Sequence, residues 1–230
     1  MNKPRVDVVA PTLLIGAVSL IAVAMAVWGV ASWLEAASFV TGAVCVWLTV
    51  KENVWNFPIG LLNVATFSVV FFESRLFADA GLQVVYFVLG VIGWYLWLYG
   101  GEDRGALKVS RAPPAELAVL LAVMAVATIG LWRMLHVAGG SASFFDALTT
   151  SLSLGSQWLL NRKYLENWIG WIIVDVIYVP LYAYKELYLT AGLYAVFFGM
   201  AVMGLKAWRE SWLSGQTAEP IGPLPGTSTL

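Results

Sequence analysis

Residues 166–208 read ENWIGWIIVDVIYVPLYAYKELYLTAGLYAVFFGMAVMGLKAW, two near-continuous apolar segments broken only by KEL at 185–187. As helices rising 1.5 Å per residue, each is about as long as the ~30 Å hydrocarbon core of a bilayer. The first segment holds a single acid, Asp175. A charge at that depth costs about 2.5–3.5 kcal/mol even on lenient scales, so the carboxylate is expected to face a polar cavity or a partner. Trp168, Trp171, Asp175, Tyr178 and Tyr182 step by 3, 4, 3 and 4, which places all five on one helix face. A face of that kind suits a small polar or cationic guest.

The rest of the chain agrees with a membrane reading. Of its 230 residues 60% are hydrophobic and 12% charged, and the mean hydropathy is +0.79. That polar content is too small to coat a soluble globule of this size, and the expected class is an all-α polytopic membrane protein. The formal net charge of −1 offers no basic field for nucleic acid. Cys45 is the only cysteine, so no intrachain disulfide can form.

Eight spans are predicted. Val9–Ala31, an uncharged run of 23 residues behind Lys3 and Arg5, is the first; a cleaved signal peptide is its rival, although the run is long for an apolar signal region of about 7–15 residues. Ala36–Val50, Val54–Phe72, Leu76–Tyr99, Glu116–Leu135, Phe145–Leu160, Asn167–Tyr184 and Leu187–Ala207 follow. The chain is thus expected to divide into an extra N-terminal helix (1–35), a first three-helix bundle (36–99) and a cytoplasmic loop (100–114). A linker helix with an outer loop (115–144), a second three-helix bundle (145–208) and a disordered cytoplasmic tail (209–230) complete it. The Gly/Pro/Thr-rich composition of 214–230 carries the last expectation. With eight spans, Lys3, Arg5, Lys51, Arg104, Lys108, Arg111, Arg162, Lys163, Lys206 and Arg209 fall on one side, against Arg75, Arg133 and Lys185 on the other. Basic residues in short loops favour the cytoplasm, so both termini are expected there.

A shift of 111 residues aligns the chain with itself without a gap. Trp47 falls on Trp158, Lys51 on Arg162, Asn56 on Asn167, Ala80-Gly81-Leu82 on Ala191-Gly192-Leu193, Gly93 on Gly204 and Trp97 on Trp208. The second to fourth spans therefore correspond to the sixth to eighth, and the fifth span returns the chain to the starting side so that both copies run parallel. Parallel repeats about an axis along the membrane normal are a transporter architecture in which substrate sits near the midplane.

The polar residues converge on one level. Asn56, Gly60, Asn63 and Phe67 share a face of the third span, and Asp79, Gln83, Tyr86, Gly90, Gly93 and Trp97 a face of the fourth. Asn63, Gln83, Tyr86, Ser153, Asp175, Tyr178 and Tyr194 fall near mid-span, with Gln157, Trp168 and Trp171 nearer the cytoplasmic end. These ten are the expected substrate-binding residues. Asn56 and Asp79 are read as gate or structural groups. Asn63, Gln83 and Ser153 would serve equally well as interhelical hydrogen-bond partners. Trp28, Trp33, Trp47, Trp55, Trp97, Trp208 and Trp212, with Tyr99, Tyr182 and Tyr184, are expected as interfacial anchors at span ends.

At WNFPIGLLN (55–63), LFADAGLQVVYF (76–87) and ENWIGWIIVDVIYVPLY (166–182) the chain closely resembles the Pnu-type vitamin transporters, the nicotinamide riboside transporters in particular, over residues 36–208. The resemblance implies a full-length SWEET-like fold in the bacterial inner membrane and uptake of nicotinamide riboside by facilitated diffusion. It also implies trapping of the cargo by a cytoplasmic riboside kinase. Pyridinium, carboxamide and ribose suit aromatic faces, amide side chains and a carboxylate. Thiamine, another cationic aromatic, is the rival cargo, and proton coupling through Asp175 is a rival mechanism. An intramembrane enzyme would have to rest on Asp175, Gly155-Ser156 and His136, which make neither a GxSxG elbow nor an HExxH site. No catalytic residue, cofactor or metal is assigned. A homo-oligomer is compatible with a free first helix.

Overall fold

In the computed structural model the described residues are 16, 20, 24, 26–29, 33–73, 77–137, 143–184 and 188–217. The predicted first span is described only at isolated positions, and residues 1–15, 74–76, 185–187 and 218–230 lie outside the described set. Seven helices are described: α1 (Trp33–Val50), α2 (Asn56–Glu73), α3 (Phe77–Tyr99), α4 (Pro114–Val137), α5 (Ser143–Asn161), α6 (Asn167–Tyr184) and α7 (Tyr188–Thr217). They match the predicted second to eighth spans to within a few residues at most ends. Among the described residues no strand is present, only an isolated bridge between Ser110 and Tyr164.

Helix is the form these apolar runs must take in a medium without water, because it satisfies every backbone group internally. The ends have local causes. Pro114 opens α4, where its missing N–H costs nothing, and Glu116 in the first turn complements the helix dipole. Glu52 (φ +53°) and Lys163 (φ +57°) take the left-handed conformation that reverses the chain after α1 and α5. In the first of these turns the Asn53 side chain accepts the Trp55 backbone N–H.

By length and composition, three of the described helices (80–99, 114–137 and 191–217) can cross a membrane unaided. Their outer faces are apolar: on α4, Val119, Leu121, Val123, Val126 and Ile129 are all exposed. Such a surface is stable against lipid and not against water. This is a multi-pass membrane protein.

Two findings differ from expectation. Helix α7 continues to Thr217, past the point where a disordered tail was expected to begin at 209. Trp212 packs against the core and lies under the Arg111 guanidinium, which supplies contacts that composition could not reveal. Trp97 and Trp208 are not interfacial anchors. They are 4% and 0% exposed at the centre of the main core cluster, and each indole N–H has a carbonyl partner. Trp28, Trp33, Trp55, Tyr99 and Tyr184 are exposed.

The helices form a ring. α1 packs on α2, α2 on α3, α3 on α5, α5 on α6, α6 on α7 and α7 back on α1, with α4 outside against α5. Where the ring closes, bonds recur in pairs. Trp97 Nε1 donates to Leu160 O and Trp208 Nε1 to Thr49 O, both at 3.0 Å. Phe57 meets Trp97 edge-to-face at 5.1 Å, and Trp168 meets Trp208 likewise at 5.4 Å. In each pair the corresponding residues are 111 positions apart.

Gly93 and Gly204 make this closeness possible. A Cβ on Gly204 would overlap the six-membered ring of Trp168, and one on Gly93 the Phe57 ring and Asn161 side chain. Gly204→Ala is expected to destabilise the protein by about 1–3 kcal/mol through overpacking. Gly192→Ala, on the same helix with open space around the added methyl, should be neutral or stabilising by up to ~1 kcal/mol. Thermal unfolding of the two variants in one detergent checks the contrast.

Candidate functional site

The ring encloses a cavity of about 600 Å3. All ten of the residues expected at the substrate site line it: Asn63, Gln83, Tyr86, Ser153, Gln157, Trp168, Trp171, Asp175, Tyr178 and Tyr194. Asn56 lines it as well. The side chain of Asp79 lies outside the described residues.

Each wall is held by the helix that carries it. On α2, Asn63 Nδ2 donates to Thr41 Oγ1 of α1 at 2.6 Å, and Asn56 Nδ2 donates to Thr49 Oγ1 at 3.0 Å. Cys45 Sγ donates to the Asn56 carbonyl at 3.3 Å. On α5, Gln157 Nε2 donates to Asn161 Oδ1, while Asn161 Nδ2 donates across to Leu89 O of α3 at 2.8 Å. Tyr86 and Ser153 are hydrogen-bonded across α3 and α5. Asparagine and glutamine on this wall therefore do serve as interhelical partners, and each keeps further donor or acceptor capacity.

The α6 stripe forms the remaining wall. Tyr178, Tyr182 and Tyr194 stand together, with Tyr182 and Tyr194 stacked at 5.2 Å between centroids and 5° between planes, and Tyr178 4.6 Å from Tyr194. Asp175 is 4% exposed beside them. It forms no ion pair among the described residues, and no Lys, Arg or His lines the cavity. The cavity thus presents aromatic faces, amides, hydroxyls and one carboxylate. No three His, Cys, Asp or Glu side chains among the described residues come together to hold a metal.

Opposite the tyrosines, Phe57, Leu160 and Trp168 form a floor. Beyond it lie the loops after α1, α3 and α5. There Glu116 accepts from the Tyr164 hydroxyl at 2.8 Å and pairs with Arg162, and Arg111 pairs with Glu166. Burial and the Glu116 hydrogen bond hold the Tyr164 hydroxyl above its ordinary pKa.

Sequence reasoning missed Tyr182, Cys45 and Thr49 as lining residues. Tyr182 is on the α6 stripe but near the helix end, which suggested an anchor. Gly42, Cys45 and Thr49 step by 3 and 4 on α1, a usable signal that small, weakly polar side chains made faint.

A closed ring of lipid-facing helices around a polar, aromatic, acid-bearing chamber defines a membrane protein that receives a small solute within the bilayer. Residues 32–210 match the family described as nicotinamide mononucleotide transporter, and the chain belongs to that family of membrane transporters. It is 29% identical over 206 residues to the nicotinamide riboside transporter PnuC of Escherichia coli, covering 78% of this chain and 86% of that protein. It is 25% identical over 195 residues to the riboflavin/roseoflavin transporter RibM of Streptomyces davaonensis, covering 82% and 89%. Its fold matches the crystal structure of the vitamin B3 transporter PnuC with a TM-score of 0.70 at 22% identity, over 90% of this chain and 93% of that one.

Two neighbouring indoles give a matched prediction. Trp168 Nε1 has no hydrogen-bond partner, so Trp168→Phe should lower stability by less than Trp208→Phe does. Trp208→Phe leaves Thr49 O unpaired in a buried setting and is expected to cost about 1–3 kcal/mol. Thermal unfolding of both variants in detergent measures the difference.

Proposed function

We propose that this chain carries nicotinamide riboside across the bacterial inner membrane by facilitated diffusion through alternating access, the cargo being trapped by phosphorylation inside the cell. One observation carries the choice of cargo: Asp175 is buried in the cavity wall beside three tyrosines, and no basic side chain lines that cavity among the described residues. A pyridinium supplies the missing cation. It can stack on tyrosine or tryptophan for about 0.5–2 kcal/mol per contact. Asn63, Gln83 and Asp175 are then available for carboxamide and ribose.

The same chemistry disfavours the phosphorylated nucleotide that the family description names. A phosphate dianion in a water-poor chamber needs a cation or a helix N-terminus, and next to Asp175 it would meet a like charge. Rejection of the nucleotide lets a cytoplasmic kinase make uptake one-way with no coupling ion.

Alternating access needs two halves that move against each other. We read α1–α3 and α5–α7 as parallel three-helix bundles related by a pseudo-twofold axis along the membrane normal, α4 as the linker, and the run 9–31 as an eighth span. The paired indole bonds and paired aromatic edges 111 residues apart support this reading. So does the ring of contacts, which maps onto itself when the halves are exchanged. The loops carrying Lys51, Arg104, Lys108, Arg111, Arg162 and Lys163 meet at one end, in keeping with a cytoplasmic face there.

A flavin is the second reading, because a relative is named for riboflavin and the cavity is within the ~300–1,000 Å3 usual for small-molecule sites. Titration calorimetry of the purified protein with nicotinamide riboside, riboflavin, thiamine and nicotinamide mononucleotide separates the cargoes. Riboside is expected to bind and the mononucleotide not to bind. Asp175→Asn with Gln83→Ala should weaken riboside at least about tenfold, or ~1.4 kcal/mol. An unchanged affinity in that double variant would refute the assignment of these residues.

A further inference from the structure

One ammonium group joins four segments at the loop end of the cavity. Lys163 Nζ lies 2.9 Å from Glu52 Oε2, donates to Leu107 O at 2.9 Å and sits 4.7 Å from the centre of the Trp97 ring. Glu52 belongs to the turn after α1, Lys163 to the turn after α5, Leu107 to the 100–113 connector and Trp97 to α3. The Lys163 side chain is 9% exposed and that of Glu52 25%, so the pair is shielded from water. Attraction between them is correspondingly stronger than at an open surface.

The two positions are equivalent. They are 111 residues apart, both have left-handed φ, and the hydrogen bonds of their turns correspond: Asn53 N to Leu48 O at 2.8 Å, Tyr164 N to Leu159 O at 2.9 Å. Equivalent turns therefore meet face to face. Identical residues there would set like charges against each other; Glu opposite Lys turns the same meeting point into an attraction. Just inside lie the two indole bonds, whose acceptors Thr49 and Leu160 line the cavity. A solute leaving by this end must part α1 from α7 and α3 from α5, and the ion pair must break with them.

We propose that Glu52 and Lys163 form the latch of the gate at this end of the cavity. The pair is made only while the end is shut, so it biases the protein toward the state closed there without touching cargo. The purpose of the latch rests on the transport reading above; its mechanics can be measured without any cargo.

Cys45 provides the readout, being the only cysteine and a lining residue of the cavity. The full-length protein in sealed vesicles is exposed, on each face of the membrane separately, to a membrane-impermeant methanethiosulfonate, and the rate of Cys45 modification is recorded. Glu52→Lys should raise the rate from the latch face about tenfold, and Glu52→Gln, which removes attraction without adding repulsion, about threefold. The double reversal Glu52→Lys with Lys163→Glu restores opposite charges on backbones that accept either residue, and should return the rate to within about twofold of the parent. Equal rates in parent, Glu52→Gln and Glu52→Lys would overturn the latch. So would a double reversal as reactive as the single. Riboside binding, measured on the same samples, keeps the two readings apart: the expected thiol pattern in a parent protein that binds no riboside would sink the cargo assignment and leave the latch standing.

Discussion

An indole N–H buried away from water must find an acceptor, and the two at the centre of this molecule find theirs only across the ring. Trp97 on α3 reaches Leu160 O at the end of α5, and Trp208 on α7 reaches Thr49 O at the end of α1. Each bond uses a carbonyl near a helix C-terminus, where the last turn leaves acceptors free. The two bonds thus cap α1 and α5 and fasten the first half of the ring to the second. Gly93 and Gly204 lack a Cβ where the facing Phe57 and Trp168 rings approach. Take away either small residue or either indole and the ring cannot close at this level.

What the ring encloses follows from that closure. With Phe57, Leu160 and Trp168 forming a floor, the stripes of α2, α3, α5 and α6 face a common space, and apolar side chains are left on the outside. Asp175 is tolerable there because the cavity, not lipid, is its neighbour. Its solitude among the lining residues gives the chamber a preference for cations, and the tyrosine cluster adds faces on which a flat cationic ring can rest. Most of the amides have interhelical work as well, so the groups that position a guest are the ones that hold the helices. This arrangement resists drift in geometry, since a displaced amide loses a protein partner before it loses a ligand.

Helices, their order and the ring of polar positions were legible in the residues because a bilayer imposes simple rules. Apolar runs must be about 20 residues long, polar groups inside them must share a face, and a gapless self-match at 111 residues marks related segments. The membrane-embedded acid on α6 and the stripes of α2 and α3 could be found from spacing alone, and all ten side chains so chosen line one cavity. What failed did so at helix ends. Trp97, Trp208 and Tyr182 were expected to anchor at an interface, since a terminal aromatic residue next to lipid and one turned into the core have the same sequence signature. α7 also runs on past 209, to Thr217, because Trp212 finds the core and Arg111 finds Trp212, contacts between segments about 100 residues apart.

By itself, then, the sequence determined that this is a multi-pass helical membrane protein, which faces of its helices are polar, and that two groups of three helices share an ancestry of pattern. Periodicity is a local property, and the bilayer converts it directly into orientation. Only the tertiary structure decided that those faces enclose a single chamber, that two tryptophans tie the halves together, and that Glu52 meets Lys163. Those contacts depend on distances between residues remote in the chain, which no helical period records.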